Sequence, residues 1–143
     1  MDFDGVLNND PFLRHQRNHL EPSEHALFDP QNAQCLDQLC QRLPVSSIVI
    51  TSTWRSGRSI DGLRSLMAAE GASCAGLVCG KTLEMSSRTQ EIMAHVAQNP
   101  AHRWFALDDM VLDGLPTGRF YRVRPSTGLT IADLDAIERF LLA

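Results

Sequence analysis

The sequence contains no apolar run approaching the roughly 20 residues that a membrane-spanning helix requires. Its first residues also lack the basic and apolar segments of a secretory signal peptide, so we expect a cytoplasmic protein with no membrane partner. The four cysteines, Cys35, Cys40, Cys74 and Cys79, include no C-x-x-C pair, and a zinc site is therefore not expected. Reduced thiols packed in the core are the prediction for them.

Neither sign of charge dominates the chain, whose formal net charge is -4. This small excess of negative charge excludes an overall electrostatic attraction to nucleic acid or to a membrane surface. It does not exclude a local basic patch. Apolar residues make up 43% of the sequence, which is typical of a globular protein and not of a disordered one. Without an internal repeat, linker or low-complexity segment, residues 1–143 are predicted to form one domain.

A pair of carboxylates opens the chain, in the stretch Asp2-Phe3-Asp4-Gly5. Alternate side chains of an extended segment share one face, so Asp2 and Asp4 are expected to point the same way. Two acids in one small site repel each other unless a cation holds them or one stays protonated. A calcium loop is excluded because its further acids are missing. On this segment alone, a polar turn with surface acids is an equal alternative.

Apolar spacing predicts helices that alternate with strands, which indicates an α/β fold with a parallel sheet flanked by helices. Residues 8–30 are expected to be irregular and polar. His15 and His19 have the spacing of a helical metal pair, but no H-E-x-x-H pattern accompanies them, so solvated loop histidines are favoured. The predicted helices cover residues 30–43, 59–70, 87–99 and 130–141, and the predicted strands cover 45–51, 75–78, 104–107 and 119–124, with a turn at 80–82.

Polar residues lie at the ends of two predicted strands and at the start of one predicted helix, where a sheet's carboxyl edge is expected. Thr51, Ser52 and Arg55 follow one strand, and hydroxyls with an arginine suit phosphate oxygens, although a helix cap with a surface arginine is the alternative. Arg88 lies in a first helical turn, where a cation opposes the helix dipole, so it is either freely solvated or placed there for another purpose. Asp108 and Asp109 form a second acidic pair. Because parallel strands end along one edge, these clusters are predicted to meet.

The order of these clusters resembles the haloacid dehalogenase (HAD) superfamily of phosphohydrolases. Residues 2–7 look like its first motif, and Thr51 or Ser52 looks like its second. Arg88 occupies the place of the basic third motif, with Lys81 as the second choice, and Asp108-Asp109 looks like the acidic fourth. The segments 51–55, 88–92, 107–109 and 128–130 are similar to the HAD-type domain of "Swiss army knife" RNA repair proteins, and the resemblance spans nearly the whole chain.

The resemblance implies a Rossmann-like sheet and a Mg2+-dependent phosphatase that works through an aspartyl-phosphate. Asp2 would attack phosphorus, and Asp4 would act as general acid and then general base. Thr51 and Arg88 would hold the phosphoryl oxygens. The resemblance further implies metal ligation by Asp2, the Asp4 carbonyl, Asp108 and Asp109, and we expect substrate contacts from Ser52 and Arg55.

Family members often carry a cap domain over the site, whereas the insert at residues 8–30 is short. An open site is therefore expected, which favours a large phosphorylated substrate such as a nucleic acid end or a phosphoprotein. Arg119, Arg122 and Arg124 beside Tyr121 would add a basic, stacking surface, for which an ordinary polar edge strand is the alternative.

The family's nucleophile ends a central strand, but only Met1 precedes Asp2 here. We expect a truncated first strand and hypothesise a missing upstream segment, which a native mass matching residues 1–143 would contradict. A degenerate HAD module that binds a phosphorylated ligand or a protein partner without turnover is the alternative function. A receiver-type signalling domain is disfavoured, because its acid pair comes first and its phosphoacceptor aspartate ends a middle strand.

Overall fold

The structure, a computed structural model, describes residues 1–142. Within these residues, no helix combines the length and the apolar character needed to cross a membrane. Three short 3-10 helices, at Pro22–Glu24, Thr53–Arg55 and Ser73–Leu77, connect the longer elements. In chain order, these elements are α1 (Asp10–His19), α2 (Pro30–Arg42), β1 (Ile48–Ile50), α3 (Ile60–Ala69), β2 (Val78–Lys81), α4 (Arg88–Gln98), β3 (Ala106–Asp108), β4 (Phe120–Arg122) and α5 (Ile131–Leu142).

The strands form two small parallel sheets, in which β1 pairs with β2 and β3 pairs with β4. The first two residues of the chain connect them. The Met1 nitrogen donates to the Val49 carbonyl at 2.7 Å, and the Thr51 N–H donates to the Met1 carbonyl at 2.9 Å. On the other side, the Asp2 N–H donates to the Leu107 carbonyl at 3.0 Å. Asp2 is thereby fixed between the carboxyl ends of β1 and β3, in an α/β arrangement of the class that the sequence predicts.

The four predicted helices start within one residue of their predicted positions, and capping side chains account for two of these starts. Asp29 accepts a hydrogen bond from the Gln31 N–H at the start of α2, and Ser87 accepts one from the Gln90 N–H at the start of α4. Three of the four cysteines are buried as predicted, whereas Cys79 is exposed. The largest fully buried side chains of the core include Phe3, Phe28, Leu39, Ile50, Leu63, Met67 and Leu134.

Residues 8–30 are not irregular, and that prediction is wrong, because α1 occupies their first half. Asn9 caps this helix by accepting a hydrogen bond from the Phe12 N–H at 2.9 Å. The one buried residue of α1 is polar: the Gln16 side chain both donates to the Ala26 carbonyl and accepts from its N–H. The large apolar residues of α1 are the adjacent Phe12 and Leu13, so apolar residues do not recur there at helical spacing, and sequence patterning missed the helix.

The second strand is displaced from its predicted position. The predicted strand at residues 75–78 is largely a 3-10 helix, Ser73–Leu77, and the predicted turn at Gly80 and Lys81 lies inside β2. Gly80 pairs with Val49 of β1, and a Cβ atom on Gly80 would lie 3.4 Å from the His95 ring. Glycine therefore marks a close approach between this strand and α4, and not a turn.

Candidate active site

Three carboxylates meet at the carboxyl end of the sheets. Asp2, Asp108 and Asp109 each offer one oxygen, and these oxygens lie within 4.8 Å of one another. Asp108 is the last residue of β3, and its Oδ1 accepts a hydrogen bond from the Met110 N–H at 3.0 Å. The Phe3 N–H donates to Asp2 Oδ1 at 2.8 Å. The sequence placed two acidic pairs at one edge of the sheet. The structure brings three of these four acids together and leaves Asp4 outside the cluster.

The electrostatics of this three-acid cluster favour a positive partner. Burial raises the pKa of the Asp2 carboxyl, and the negative charge of Asp108 raises it further, while Arg88 lowers it. Burial, followed by the charges of Asp2 and Asp108, raises the pKa of Asp109 to about 6. Three crowded carboxylate oxygens are donors of the kind that a hard divalent cation prefers. These residues can accordingly hold a metal ion, in keeping with the chemistry of the donor set.

Arg88 supplies a positive charge to the same cluster. Its Nη1 lies 2.7 Å from Asp108 Oδ2 and 3.6 Å from Asp2 Oδ1, and it donates to Thr51 Oγ1 at 3.3 Å. Lys81, the second choice for this position, instead donates to the Arg58 carbonyl at 2.5 Å. The first residue of α4 thus points into the acid cluster, which is why its unfavourable position on the helix dipole is tolerated.

Glu91 holds Arg88 from the opposite side, and it was not among the predicted site residues. Its Oε2 lies 3.3 Å from Arg88 Nε and 3.0 Å from Arg55 Nη2, and its Oε1 accepts from the Met85 N–H at 3.1 Å. Only 7% of Glu91 is exposed. The signal in the sequence was its spacing of three residues from Arg88, which places both side chains on one helix face.

Arg55 has no free donor in this arrangement. The side chain is 3% exposed and forms an ion pair with Glu91. Its remaining N–H groups bind backbone carbonyls after β1 and after β2, so the residue joins these two loops and α4. The acceptors are Thr51 at 2.5 Å, Ser52 at 2.9 Å, Thr82 at 2.9 Å and Leu83 at 3.4 Å. The substrate contact expected of Arg55 would require breaking these bonds.

The two candidate hydroxyls after β1 have different surroundings. Thr51 Oγ1 faces Arg88 and hence the three-acid cluster. Ser52 Oγ accepts from the Trp54 N–H at 3.3 Å and so caps the 3-10 helix that follows. Of the two, Thr51 is therefore the hydroxyl that lies beside the acids.

Residues 2–4 do not form the extended segment from which a shared face was predicted for Asp2 and Asp4, and that expectation is wrong. The backbone turns helically directly after Asp2, since the Leu7 N–H donates to the Phe3 carbonyl at 2.8 Å. Asp4 is exposed, in contrast to Asp2. Its Oδ1 accepts from Asn8 Nδ2 at 3.0 Å and its Oδ2 from Trp54 Nε1 at 3.2 Å. The turn thus gives the two carboxylates separate environments.

Gly5 makes room for the acid cluster. Its φ is +76°, and a Cβ atom there would lie 2.5 Å from Asp109 Oδ2. We expect Gly5→Ala to displace the Asp109 carboxylate, to lower the free energy of unfolding by about 1–3 kcal/mol, and to reduce the rise in melting temperature caused by Mg2+. Thermal unfolding with and without Mg2+ measures both effects.

Gly57→Ala is the matched control for this prediction. Gly57 has a similar φ of +69° but no atom within 4 Å of the added Cβ, so it isolates the backbone strain. An Mg2+ response in Gly5→Ala equal to that of Gly57→Ala would contradict the assigned contact with Asp109.

The arginine-rich segment 119–124, which contains β4, uses most of its polar groups within the fold. Tyr121 donates its hydroxyl to Asp133 Oδ1 at 2.7 Å, and Arg122 Nε donates to the Asp109 carbonyl at 2.9 Å. Arg119 donates to the Trp104 carbonyl at 3.0 Å and stacks over that ring at 5.4 Å. These contacts favour the polar edge strand over a stacking surface at Tyr121.

The sequence model of one family matches residues 1–134, and its description is "HAD domain in Swiss Army Knife RNA repair proteins". No curated protein and no solved structure gives a significant match to the chain. The matched range includes every residue of the three-acid cluster together with Arg88 and Glu91.

Proposed function

Because the chain belongs to the family of HAD domains in Swiss Army Knife RNA repair proteins, we propose that it is a Mg2+-dependent phosphatase that forms an aspartyl-phosphate. The observation that carries this proposal is the meeting of three carboxylates within 4.8 Å, with Arg88 Nη1 2.7 Å from one of them. This arrangement would supply a nucleophile, metal ligands and a phosphate-binding cation at one sheet edge.

The donor set fits Mg2+, which is bound in proteins by one or two carboxylates, waters and substrate phosphate oxygens. Asp2, Asp108 and Asp109 would hold the ion, with the Asp4 carbonyl as a further ligand. When bound, Mg2+ would offset the repulsion between the Asp2 carboxylate and a phosphate dianion. The raised pKa values of Asp2 and Asp109 support this assignment, because burial and then the neighbouring carboxylates disfavour their charged forms, and a bound cation would offset both effects.

Asp2 would be the nucleophile. One of its carboxylate oxygens would form a bond to phosphorus while the bond between phosphorus and the leaving oxygen breaks. Asp4 would donate a proton to that leaving oxygen. It would then take a proton from the water that attacks phosphorus and releases Asp2 as a carboxylate.

Arg88 and Thr51 would bind the phosphoryl oxygens through the transition state. Arg88 pairs with Asp108, and a phosphoryl group would offer its guanidinium a second anionic partner. Arg55, with its donors bound internally, would position the loops that carry Thr51 and would not contact substrate. Ser52 would act through backbone groups, since its hydroxyl caps the 3-10 helix.

The proposed substrate is a phosphorylated nucleic acid end. The family's RNA repair context supports it, and the insert at residues 8–30 contributes one helix and one 3-10 turn, which leaves room for a large substrate. The alternative is a module of the same fold that binds a phosphorylated ligand without turnover. The complete set of acids together with Arg88 favours the enzyme.

Phosphate release tests the proposal, with p-nitrophenyl phosphate and with oligonucleotides phosphorylated at the 3′ or the 5′ end. We expect release that requires Mg2+ and that falls by at least about 10³-fold in Asp2→Asn, since loss of a nucleophile leaves only binding and electrostatic effects. Asp113→Asn, which changes an exposed aspartate, should retain wild-type rates. Release that persists in Asp2→Asn, or a wild type that binds these substrates without hydrolysing them, would refute the proposed enzyme.

A further inference from the structure

Trp54 contacts Asp4 from a different part of the chain. Its indole Nε1 donates to Asp4 Oδ2 at 3.2 Å, across 50 positions of sequence. Asn8 Nδ2 donates to the other oxygen, Oδ1, at 3.0 Å. Each oxygen of the Asp4 carboxylate therefore has one side-chain N–H partner, and each partner lies on a different loop.

The indole is itself held in place, although 37% of Trp54 is exposed. Its backbone N–H donates to Ser52 Oγ in the turn after β1, and the Arg58 guanidinium carbon lies 5.7 Å from the ring centroid. Arg55 clamps the same turn through the Thr51 and Ser52 carbonyls. The position of Asp4 is thereby tied to the loop that also carries Thr51.

The two donors restrict where Asp4 can carry a proton. An indole N–H and an amide N–H donate and do not accept in these contacts, so each occupies one lone-pair position of the carboxyl group. A proton on Asp4 must therefore occupy one of the remaining positions, directed away from Trp54 and Asn8. A general acid needs such a fixed direction, because its proton must reach the leaving oxygen as the bond to phosphorus breaks.

We propose that Trp54 is a positioning residue that, through its indole N–H, orients the carboxyl group of Asp4 for proton transfer to the leaving group. This inference rests on the proposed phosphatase function. It requires the leaving oxygen to take up both the electron pair of the broken bond and the proton from Asp4. A leaving group of low pKa departs without that proton, whereas an alkoxide such as a ribose oxygen does not.

Trp54→Phe tests the inference, because it keeps an aromatic ring beneath Arg58 but removes the N–H. We expect kcat for a 3′-phosphorylated oligonucleotide to fall about tenfold or more, kcat for p-nitrophenyl phosphate to fall less than about threefold, and KM to change little. Asp4→Asn should lower kcat for the oligonucleotide more than Trp54→Phe does, and should also lower kcat for p-nitrophenyl phosphate, because it removes the general base of the second step as well. Trp104→Phe, which changes the other tryptophan, two residues before β3, should match the wild type for both substrates.

The possible outcomes separate this inference from the function on which it rests. Equal losses on the two substrates, or a rise in KM confined to the oligonucleotide, would overturn the positioning role; the second result would instead indicate a base that stacks on the indole. An active wild type with no change in Trp54→Phe would overturn the inference alone. A wild type without phosphate release from any substrate would overturn both.

Discussion

Replacing Glu91 with alanine is expected to lower the free energy of unfolding by about 3–5 kcal/mol, because two buried guanidinium groups then lose their shared carboxylate. The side chains of Arg55 and Arg88 are only 3% and 10% exposed, so water cannot replace the lost partner. Glu91 Oε1 also satisfies the Met85 N–H, which would become unpaired. Denaturation in urea, followed by far-UV circular dichroism, measures the loss.

Two controls define the cause of that effect. Glu91→Gln keeps the side-chain shape and an acceptor for Met85, so its loss should be smaller and should report the missing charge. Glu84→Ala removes an exposed carboxylate of the same segment and should change stability by no more than about 0.5 kcal/mol. A loss below about 1 kcal/mol in Glu91→Ala would contradict the buried ion-pair network, since even a neutral buried hydrogen bond is worth about that much.

Replacing Arg88 with alanine is expected to lower kcat/KM by about 10²–10³-fold, the usual effect of removing one donor that stabilises transition-state charge. The guanidinium Nη1 lies 3.6 Å from Asp2 Oδ1 and 2.7 Å from Asp108 Oδ2, where the phosphoryl group would be transferred. Arg88→Lys should recover only part of the rate. A single ammonium group cannot contact Asp108, Thr51 and Glu91 at once, as the guanidinium does.

Mg2+ should raise the melting temperature of Arg88→Ala more than it raises that of the wild type. Without Arg88, the three acids lose their positive neighbour, so a bound cation relieves more repulsion than in the wild type. Arg17→Ala, an exposed change on α1, is the control for both measurements. Wild-type kcat/KM in Arg88→Ala would show that the guanidinium takes no part in phosphoryl transfer.

The sequence was sufficient to locate the acid cluster, because parallel pairing sends successive strand ends to one edge. Asp2, Asp108 and Asp109 could therefore be assigned together without knowledge of a single contact. Arg88 was found by a local electrostatic argument, its position in the first turn of a helix. The resemblance to the HAD-type domain of the repair proteins is likewise confirmed by the family match.

Features that depend on contacts between distant segments could not be predicted. The sequence places Arg55 beside a predicted phosphate-binding loop. Its donors are instead bound in part by the carbonyls of Thr82 and Leu83, which are distant in sequence. The bond between Asp4 and Trp54 likewise needs the turn that follows Asp2. Helix α1 escaped detection for a different reason, since its large apolar residues are adjacent and do not recur at helical spacing.

Trapping the phosphorylated protein tests the central claim most directly. The wild type and Asp2→Asn would be mixed with a substrate carrying a radioactive phosphoryl group, quenched in acid within the first turnover, and treated with hydroxylamine, which cleaves acyl phosphates. We expect a label on the peptide containing Asp2 that hydroxylamine removes and that Asp2→Asn lacks. Turnover with no trapped label, or a label on another residue, would contradict it.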